Sequence, residues 1–538
     1  MNKFLGLLVI LFSFTQAQTF EWVNIIPLNI QTNPAYLHSP VTVDNSGNPI
    51  CARLINYREA YGQTYYGDIK IEKRNSSGLL LSEILIIGKA DVSELIVDGE
   101  DNIICIGTYR DSLVIGTTTL IQSDPNQNSF ILKTDGSGNF LWVKDGTEFA
   151  PEFGIVTALE LKTSNNFLVG VTNWNTNANI YELGPDGNVA SIIEQAYVET
   201  ISDIDVDLSG NIWATGFAFN GQLSFNGLDT IAPFPYNEYV VKYNSSGAAQ
   251  WINFIQDITA QDYNIETDNS GNAYLSGNLF DSTSFGNLHA NGPQWVYDYF
   301  VTKIDPIGNY IWLREIPPGN TTGDGTIGNS NFLSCGEDGD TYITGFFRGE
   351  INLGNGVILT PADYYDIFVI NYNASGEVQW AKAAGSNLFD QGSGVVFDKI
   401  GNCYISGLVG ENSVFDTITV TGTSNNLYLA KLKLDNVVSV DDGLINSDAG
   451  IISFELRQNY PNPFNPSTTI RFAIPKESFT SLEIFNALGE KTSTLVSEIL
   501  SEGDYKYSWN TRGFPSGIYF YKLSSGTFTE IKKMILIK

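Results

Sequence analysis

The residues of this chain with the most chemical potential are carboxylates set at alternate positions of short apolar segments. Asp203 and Asp205 alternate in SDIDVD, Glu266 follows Asn264 by two in YNIETD, and Glu160 stands in ALELK. In a strand, positions i and i+2 share a face, so each alternating pair projects to one side. Converging carboxylates could bind a divalent cation through oxygen, or act as an acid and base pair on a glycosidic bond if burial drove their pKa values apart. The plainer reading is that they line a wet channel. Nucleophilic catalysis lacks its parts. There are two histidines, His38 and His289, far apart in sequence, and no G-x-S-x-G, H-E-x-x-H or Walker string. No residue is therefore assigned a catalytic role, no metal site is assigned, and no cofactor is expected. Calcium is the one ion such carboxylates could take.

Aromatic residues supply a second chemistry. The chain has 27 Tyr and 32 Phe. Phe234 and Tyr236 in PFPYN, and Trp295 and Tyr297 in QWVY, stand among Pro, Asn and Gly outside any strand period. Aromatic rings beside neutral polar groups suit stacking on sugar, so these two segments are read as loops forming a glycan-binding patch. The alternative is that they cover the rims of the fold.

What must position these groups is a repeat. One phrase recurs seven times: an acidic or polar residue, a short turn, Gly-Asn, then an apolar strand ending in Gly. It begins at Asp44, Asp98, Lys162, Asp207, Asp268, Gly336 and Asp398, with the Asn slot at 48, 102, 166, 211, 272, 340 and 402. A second phrase follows, clearest in KTDGSGNFLW, KYNSSGAAQW, KIDPIGNYIW and NYNASGEVQW, and places Trp142, Trp251, Trp312 and Trp380 four residues after the turn glycine. Each unit parses as four strands joined by tight turns. In the fifth they are YNIETD, AYLSGNL, DYFVTKID and YIWLREI. Seven such sheets bury their faces only against one another, which predicts a β-propeller. The seventh unit lacks a Trp strand. FEWVNII, from Phe20, reads like the QWINFI of unit four and is expected to complete it, sealing the ring. The arrangement resembles secreted bacterial proteins with seven-bladed propeller repeats.

Aligned on the turn, Val41, Leu95, Leu159, Ile204, Ile265, Leu333 and Val395 stand three residues before the acidic slot. Val43, Val97, Leu161, Val206, Thr267, Cys335 and Phe397 stand one before it. This face is expected to pack between units, leaving the opposite face, with Glu160, Asp203, Asp205 and Glu266, for function. The cysteines lack paired spacing. Cys51, Cys105 and Cys335 fall in core slots and read as buried free thiols, while Cys403 is less determined. The Asp-x-x-Gly-Asn turns lack the acid density of a calcium loop and read as Asp and Asn bonding their own backbone. The recurring third-strand lysines, Lys73, Lys133, Lys242, Lys303 and Lys433, read as charges that blunt strand edges.

The net charge of −30 is concentrated before residue 455, where 19 basic residues face 51 acidic ones; residues 455–538 carry ten and eight. So acidic a surface repels phosphate backbones and anionic headgroups, so nucleic acid and a polybasic membrane contact are disfavoured.

Both ends speak of export. Lys3, an apolar run from Phe4 to Phe14, and Thr15-Gln16-Ala17 have the form of a signal peptide, a substrate for signal peptidase with Gln18 left first. The run is too short to span a bilayer, and no transmembrane anchor is expected. At the other end, Asn459-Tyr460-Pro461-Asn462-Pro463-Phe464-Asn465-Pro466 is a stiff turn, followed by strand patterns through Trp509, Gly517 and the final stretch from Lys533 to Lys538. These motifs resemble the C-terminal sorting domain of bacterial type IX secretion. The resemblance implies a small β-sandwich read by an outer-membrane translocon and usually removed on arrival, and delivery to the surface of a Gram-negative bacterium by way of the periplasm.

The expected organisation is all-β: a signal peptide over 1–17, a seven-bladed β-propeller closed by an N-terminal strand over 18–435, a linker over 436–453 and a sorting β-sandwich over 454–538. The expected function is binding or adhesion to an extracellular glycan or protein. A glycan-cleaving enzyme using the inner carboxylates, or a structural surface-matrix component, are the alternatives.

Overall fold

The computed structural model describes residues 18–30, 37–122, 128–149, 154–163, 165–173, 177–256, 263–279, 281–292, 298–317, 323–398, 401–434, 455–456, 459, 467–476, 478–486, 491–501, 503–510, 514–526 and 528–536. The signal-peptide and linker readings lie outside these residues. The chain forms two compact units, Met1–Val437 and Val438–Lys538. Both are all-β, and the helical element among the described residues is one 3-10 turn, Gly146–Glu148.

In the larger unit the strands fall into antiparallel sets of four at the places the repeat predicts. The fifth set is Asn264–Thr267, Ala273–Leu279, Asp298–Ile304 and Tyr310–Glu315, hydrogen-bonded in that order. The seventh is Gln391–Phe397, Asn402–Val409 and Asn426–Leu434, completed by Gln18–Pro27. That N-terminal strand pairs antiparallel along the whole of Asn426–Leu434, with Val23 opposite Ala430 and a bulge beside Trp22. The first strands lie against one another in sequence order, from Val41–Val43 through Leu80–Val97, Gly154–Leu161, Asp203–Val206, Asn264–Thr267 and Leu333–Cys335 to Gln391–Phe397, which meets Val41–Val43 again.

The first two units depart from the expected separate sheets. Leu80–Val97 is one continuous strand, paired at its start with Thr64–Arg74 and at its end with Ile103–Ile115, so that both units share one eight-stranded sheet. No Pro, Asn or paired turn glycine interrupts Leu85–Leu95. The strand turns from one unit to the next through bulges beside Gly88 and Val92. The insertions between second and third strands, expected as loops, are hairpins, such as Thr283–Phe285 with Leu288–Ala290 and Ile351–Gly354 with Val357–Leu359.

The aliphatic slots behave as the alignment predicts: Val41, Leu95, Leu159, Ile204, Ile265, Leu333 and Val395 are all buried. The slot two residues on is only half-buried. All four cysteines are free thiols; Cys51, Cys105 and Cys403 are buried, whereas Cys335 is half-buried. In the turns, Asp44 Oδ1 accepts the backbone N–H of Ser46 and of Asn48 at 2.9 and 2.8 Å, while Oδ2 accepts from Asn48 Nδ2 at 2.9 Å. The same pattern recurs at Asp98, Asp207 and Asp268.

The lysine reading is corrected. These side chains are not edge charges, because the third strand is interior to each sheet. Lys133 pairs with Asp98 at 2.8 Å, Lys242 with Asp207 at 3.4 Å and Lys73 with Asp44 at 2.6 Å, all largely buried. In the seventh unit the slot belongs to Lys431, opposite Tyr404 as Lys242 is opposite Trp213, and not to Lys433. Several of these lysines also reach the next unit, where they share an acceptor with the tryptophan of their own. Trp142 Nε1 and Lys133 Nζ both donate to Pro185 O, Trp251 and Lys242 to Pro306 O, and Trp312 and Lys303 to Ala374 O. Trp22 and Lys431 both donate to Ser76 O, at 3.0 and 3.1 Å, so the N-terminal strand joins unit seven to unit one by the same latch.

The smaller unit has a three-stranded sheet of Glu455–Leu456, Ser467–Ile474 and Gly503–Asn510, and a four-stranded sheet of Lys491–Leu500, Ser478–Asn486, Gly517–Ser525 and Phe528–Leu536. Ile470, Phe472 and Ile474 of the first share one core with Leu482, Ile484, Tyr521 and Leu523 of the second. Each of these runs alternates along its strand, as a face packed on another sheet requires. Asn459 is buried, its Nδ2 donating to Thr468 Oγ1 at 2.9 Å and its backbone N–H to Tyr521 Oη at 2.8 Å. Gly517 begins a strand and Lys533 is exposed on the last one. Tyr460, Pro461, Asn462, Pro463, Phe464, Asn465, Pro466 and Lys538 lie outside the described residues.

Candidate functional site

The first strands of units two to six turn one face toward a shared cavity of about 140 Å³. Its lining includes Glu94 of unit two, Glu160 of unit three, Asp203 and Asp205 of unit four, and Glu266 of unit five. The sequence-predicted carboxylates Glu160, Asp203, Asp205 and Glu266 are thus brought together. Glu94 was missed, although its position was legible: it stands four residues before the turn aspartate, as Asp203 and Asn264 do. His38 also reaches the lining from the segment before the first strand, its Nδ1 2.6 Å from Asp91 Oδ2. Among the described residues, no lysine or arginine lines the cavity.

The carboxyls are held differently. Asp203 is 9% exposed; its Oδ2 accepts the backbone N–H of Ile265 at 2.8 Å, across to unit five, and its Oδ1 that of Ile204 at 2.8 Å. Burial pushes it up to about 7, against the pull of those two N–H donors. Asp205 is also raised, by burial first, with Thr267 opposing. Glu94 and Glu160 keep some contact with water through the cavity yet are surrounded by protein. Burial drives both well above the usual carboxylate range, with further repulsion on Glu94 from Asp203 and on Glu160 from Asp205. The raised carboxyls hold their protons to higher pH than free ones, so the site can donate hydrogen bonds as well as accept them, and attracts a cation as those protons leave. Among the described residues, no three of His, Cys, Asp and Glu are grouped to hold a metal ion.

The aromatic loops are corrected. Phe234 and Tyr236 belong to the strand Leu228–Tyr243, because the second and third strands of unit four pair as one long hairpin from Ile212↔Tyr243 to Phe225↔Leu228. Phe234 is half-buried and Tyr236 exposed. Trp295 and Tyr297 lie outside the described residues. His289 sits in the hairpin of unit five, its Nδ1 3.1 Å from Ser284 Oγ, and does not line the cavity.

Comparison with known proteins bears on the C-terminal unit. Residues 458–538 match the secretion system C-terminal sorting domain. No curated protein matches the chain. Among solved structures, the chain is similar to PorZ, a surface component of the type IX secretion system of Porphyromonas gingivalis, with 12% identity, a TM-score of 0.25 and coverage of 93% of this chain and 74% of that one. It is also similar to the quinohemoprotein alcohol dehydrogenase of Comamonas testosteroni (11%, TM-score 0.36, coverage 80% and 79%) and to the α-L-arabinofuranosidase Arb93A of Fusarium graminearum (9%, TM-score 0.35, coverage 79% and 99%). Among the described residues, no helix is long and apolar enough to cross a membrane. Residues 458–538 engage the type IX secretion machinery, and the protein is a cargo of that system, delivered to the cell surface or beyond it.

Proposed function

We propose that the larger unit is a closed seven-bladed β-propeller that works as a surface-displayed binding protein, taking a cationic group of an extracellular partner into its hub. The ring reading is supported by the circuit of first strands and by the Trp22 latch, which repeats between units seven and one what Trp142, Trp251 and Trp312 do elsewhere. The binding reading is carried by one observation: five carboxyls from four successive units face one small cavity, and among the described residues no lysine or arginine lines it. An amine or basic side chain entering there would replace protons on the raised carboxyls, so affinity should increase as pH rises through about 7.

The test is calorimetric titration of the purified secreted chain with putrescine and with lysine-containing peptides at pH 5.5 and 8. Binding that is tighter at pH 8, with proton release, and that weakens at least tenfold in Glu160→Gln and Asp203→Asn supports the reading. Heats indistinguishable from dilution at both pH values would sink it.

A second reading, a glycan-cleaving enzyme, has Asp203 in its favour, raised to about 7 beside Glu160, which burial also raises well above the usual carboxylate range. It requires turnover of a polysaccharide that dies with Asp203→Asn. A wild-type chain that releases no reducing sugar from a broad panel removes it.

A further inference from the structure

The hairpin of unit four carries a second, separate surface. Phe217 and Phe219 are two apart in Ile212–Phe225 and share a face, while Tyr236 sits directly across from Phe219 in Leu228–Tyr243. Phe217 lies 5.0 Å from Phe219 edge-on and 6.1 Å from Tyr236 nearly parallel, and Phe219 lies 5.8 Å from Tyr236. Two of the three rings are open to solvent, Phe219 47% and Tyr236 53% exposed, and half-buried Phe217 supports them. Ala218, on the other side of the strand, is buried in the core, so the rings are what the hairpin shows outward.

Two further features separate this patch from ordinary scattered apolar surface. First, it is rigid. Pro233 and Pro235 flank Phe234, and buried Asn237 ties that turn down, accepting from Phe234 N at 3.0 Å and donating from Nδ2 to Phe234 O at 2.6 Å and Ala218 O at 3.2 Å. Second, its exposed part is uncharged. No charged residue occurs in the 14 residues of Ile212–Phe225, nor from Thr230 to Asn237, in a chain with 59 acidic residues, and Glu238, directly across from Phe217, is fully buried. Its polar groups are neutral amides, including exposed Asn220 and Gln222. A cationic partner would be drawn to the acidic surface elsewhere, and an anionic polymer would be repelled by it. A neutral, polyhydroxylated ligand with flat apolar C–H faces meets neither difficulty: its faces stack on the rings and its hydroxyls bond the amides.

We infer that Phe217, Phe219 and Tyr236 form a preorganised stacking platform for an uncharged polysaccharide, independent of the hub. The related slot in unit six shows the contrast. Phe346 there also meets aromatic neighbours, Tyr365 and Phe389, but the three are half-buried and Arg348 lies over the Tyr365 ring at 5.3 Å, so that ring face is already covered.

The experiment is native affinity electrophoresis of the full secreted chain in gels containing mixed-linkage β-glucan, mannan, xylan, alginate or polygalacturonate. The expected result is retardation by at least one of the three neutral polymers and by neither acidic one. Phe219→Ala and Tyr236→Ala should each weaken it about tenfold, Tyr236→Phe should keep most of it, and Ile358→Ala, an exposed apolar residue on another unit, should not change it. Phe219→Asp, which charges the platform and leaves the core untouched, should abolish it. The inference is overturned by no retardation in any neutral gel, by retardation in acidic gels alone, or by alanine variants that migrate like the wild type with an unchanged melting temperature.

Discussion

Position by position, the repeat contains a slot whose identity matters to a single atom. Five residues before the third-strand lysine position stand Asp68, Asn128, Asn177, Asn237, Asp298, Asp366 and Asn426. The asparagines use both ends of the amide: Asn426 accepts from Thr423 N at 3.0 Å and donates to Thr423 O at 2.7 Å. Asp366 accepts from Ala362 N at 2.6 Å through Oδ2, but its buried Oδ1 has no hydrogen-bond partner among the described residues. Burial, with Asp390 and Asp363 nearby, pushes Asp366 up to about 6. The raised value means that the folded state holds the proton more tightly than the unfolded chain. The cost is therefore absent below about pH 4 and complete above about pH 6, where it reaches roughly 3 kcal/mol. Asp366→Asn should raise the thermal midpoint by a few degrees at pH 7 and leave it unchanged at pH 4, as measured by calorimetry across that range. A gain that persists undiminished at pH 4 would mean that the slot is not limited by its charge.

At the scale of the element, stability between units depends on glycines that let an indole lie flat on a turn. Gly376 has φ +76, and a Cβ there would meet Trp312 Cδ2 at 2.6 Å; Gly308 and Gly78 stand in the same relation to Trp251 and Trp22. Gly376→Ala combines left-handed strain with a clash against a ring held by Ala374 O, and should cost about 3 kcal/mol. Gly354→Ala, at φ +89 with nothing within 4 Å, carries the strain alone and should cost about 1 kcal/mol. Urea denaturation of the two variants checks the difference; equal losses would show that packing on the indole contributes nothing. Where tryptophan is absent, an isoleucine serves: Ile84 lies under Gly138 and Ile193 under Gly247.

For the whole molecule, the pairing of residues 18–27 with 426–434 ties folding to a chain that is nearly complete. Deleting Gln18–Pro27 removes Trp22 and exposes the backbone of Asn426–Leu434 as an unpaired edge. Size-exclusion chromatography should then show dimers or larger species, and a clean monomer of native stability would contradict the ring. Deleting 455–538 should leave the rest trapped in the periplasm, detectable by fractionation, because the segment engaging the outer-membrane machinery is gone. Normal delivery of that truncated chain to the surface would refute the export route.

Much of this was legible beforehand because a repeat reports its own register. The turn phrase marks each first strand, and alternation from it told buried Leu159 from inward-facing Glu160. The reading failed where local pattern is silent about neighbours. Lys242 looks the same in sequence whether it meets water or Asp207 and Pro306 O, and only the stacking of units places both acceptors beside it. Phe219 and Tyr236, seventeen residues apart, became one surface through a long hairpin whose bulge beside Gly221 no composition rule announces. His38 came to the cavity beside unit two, its Nδ1 2.6 Å from Asp91 Oδ2, a meeting of residues 53 apart that no motif marks. Sequence alone determined the all-β class, the places of the repeated first strands and the export route, since periodicity and linear motifs are local. Which carboxyls share a cavity, which rings share a face and which unit latches to which were decided by tertiary structure, because those are distances between residues that the chain itself keeps far apart.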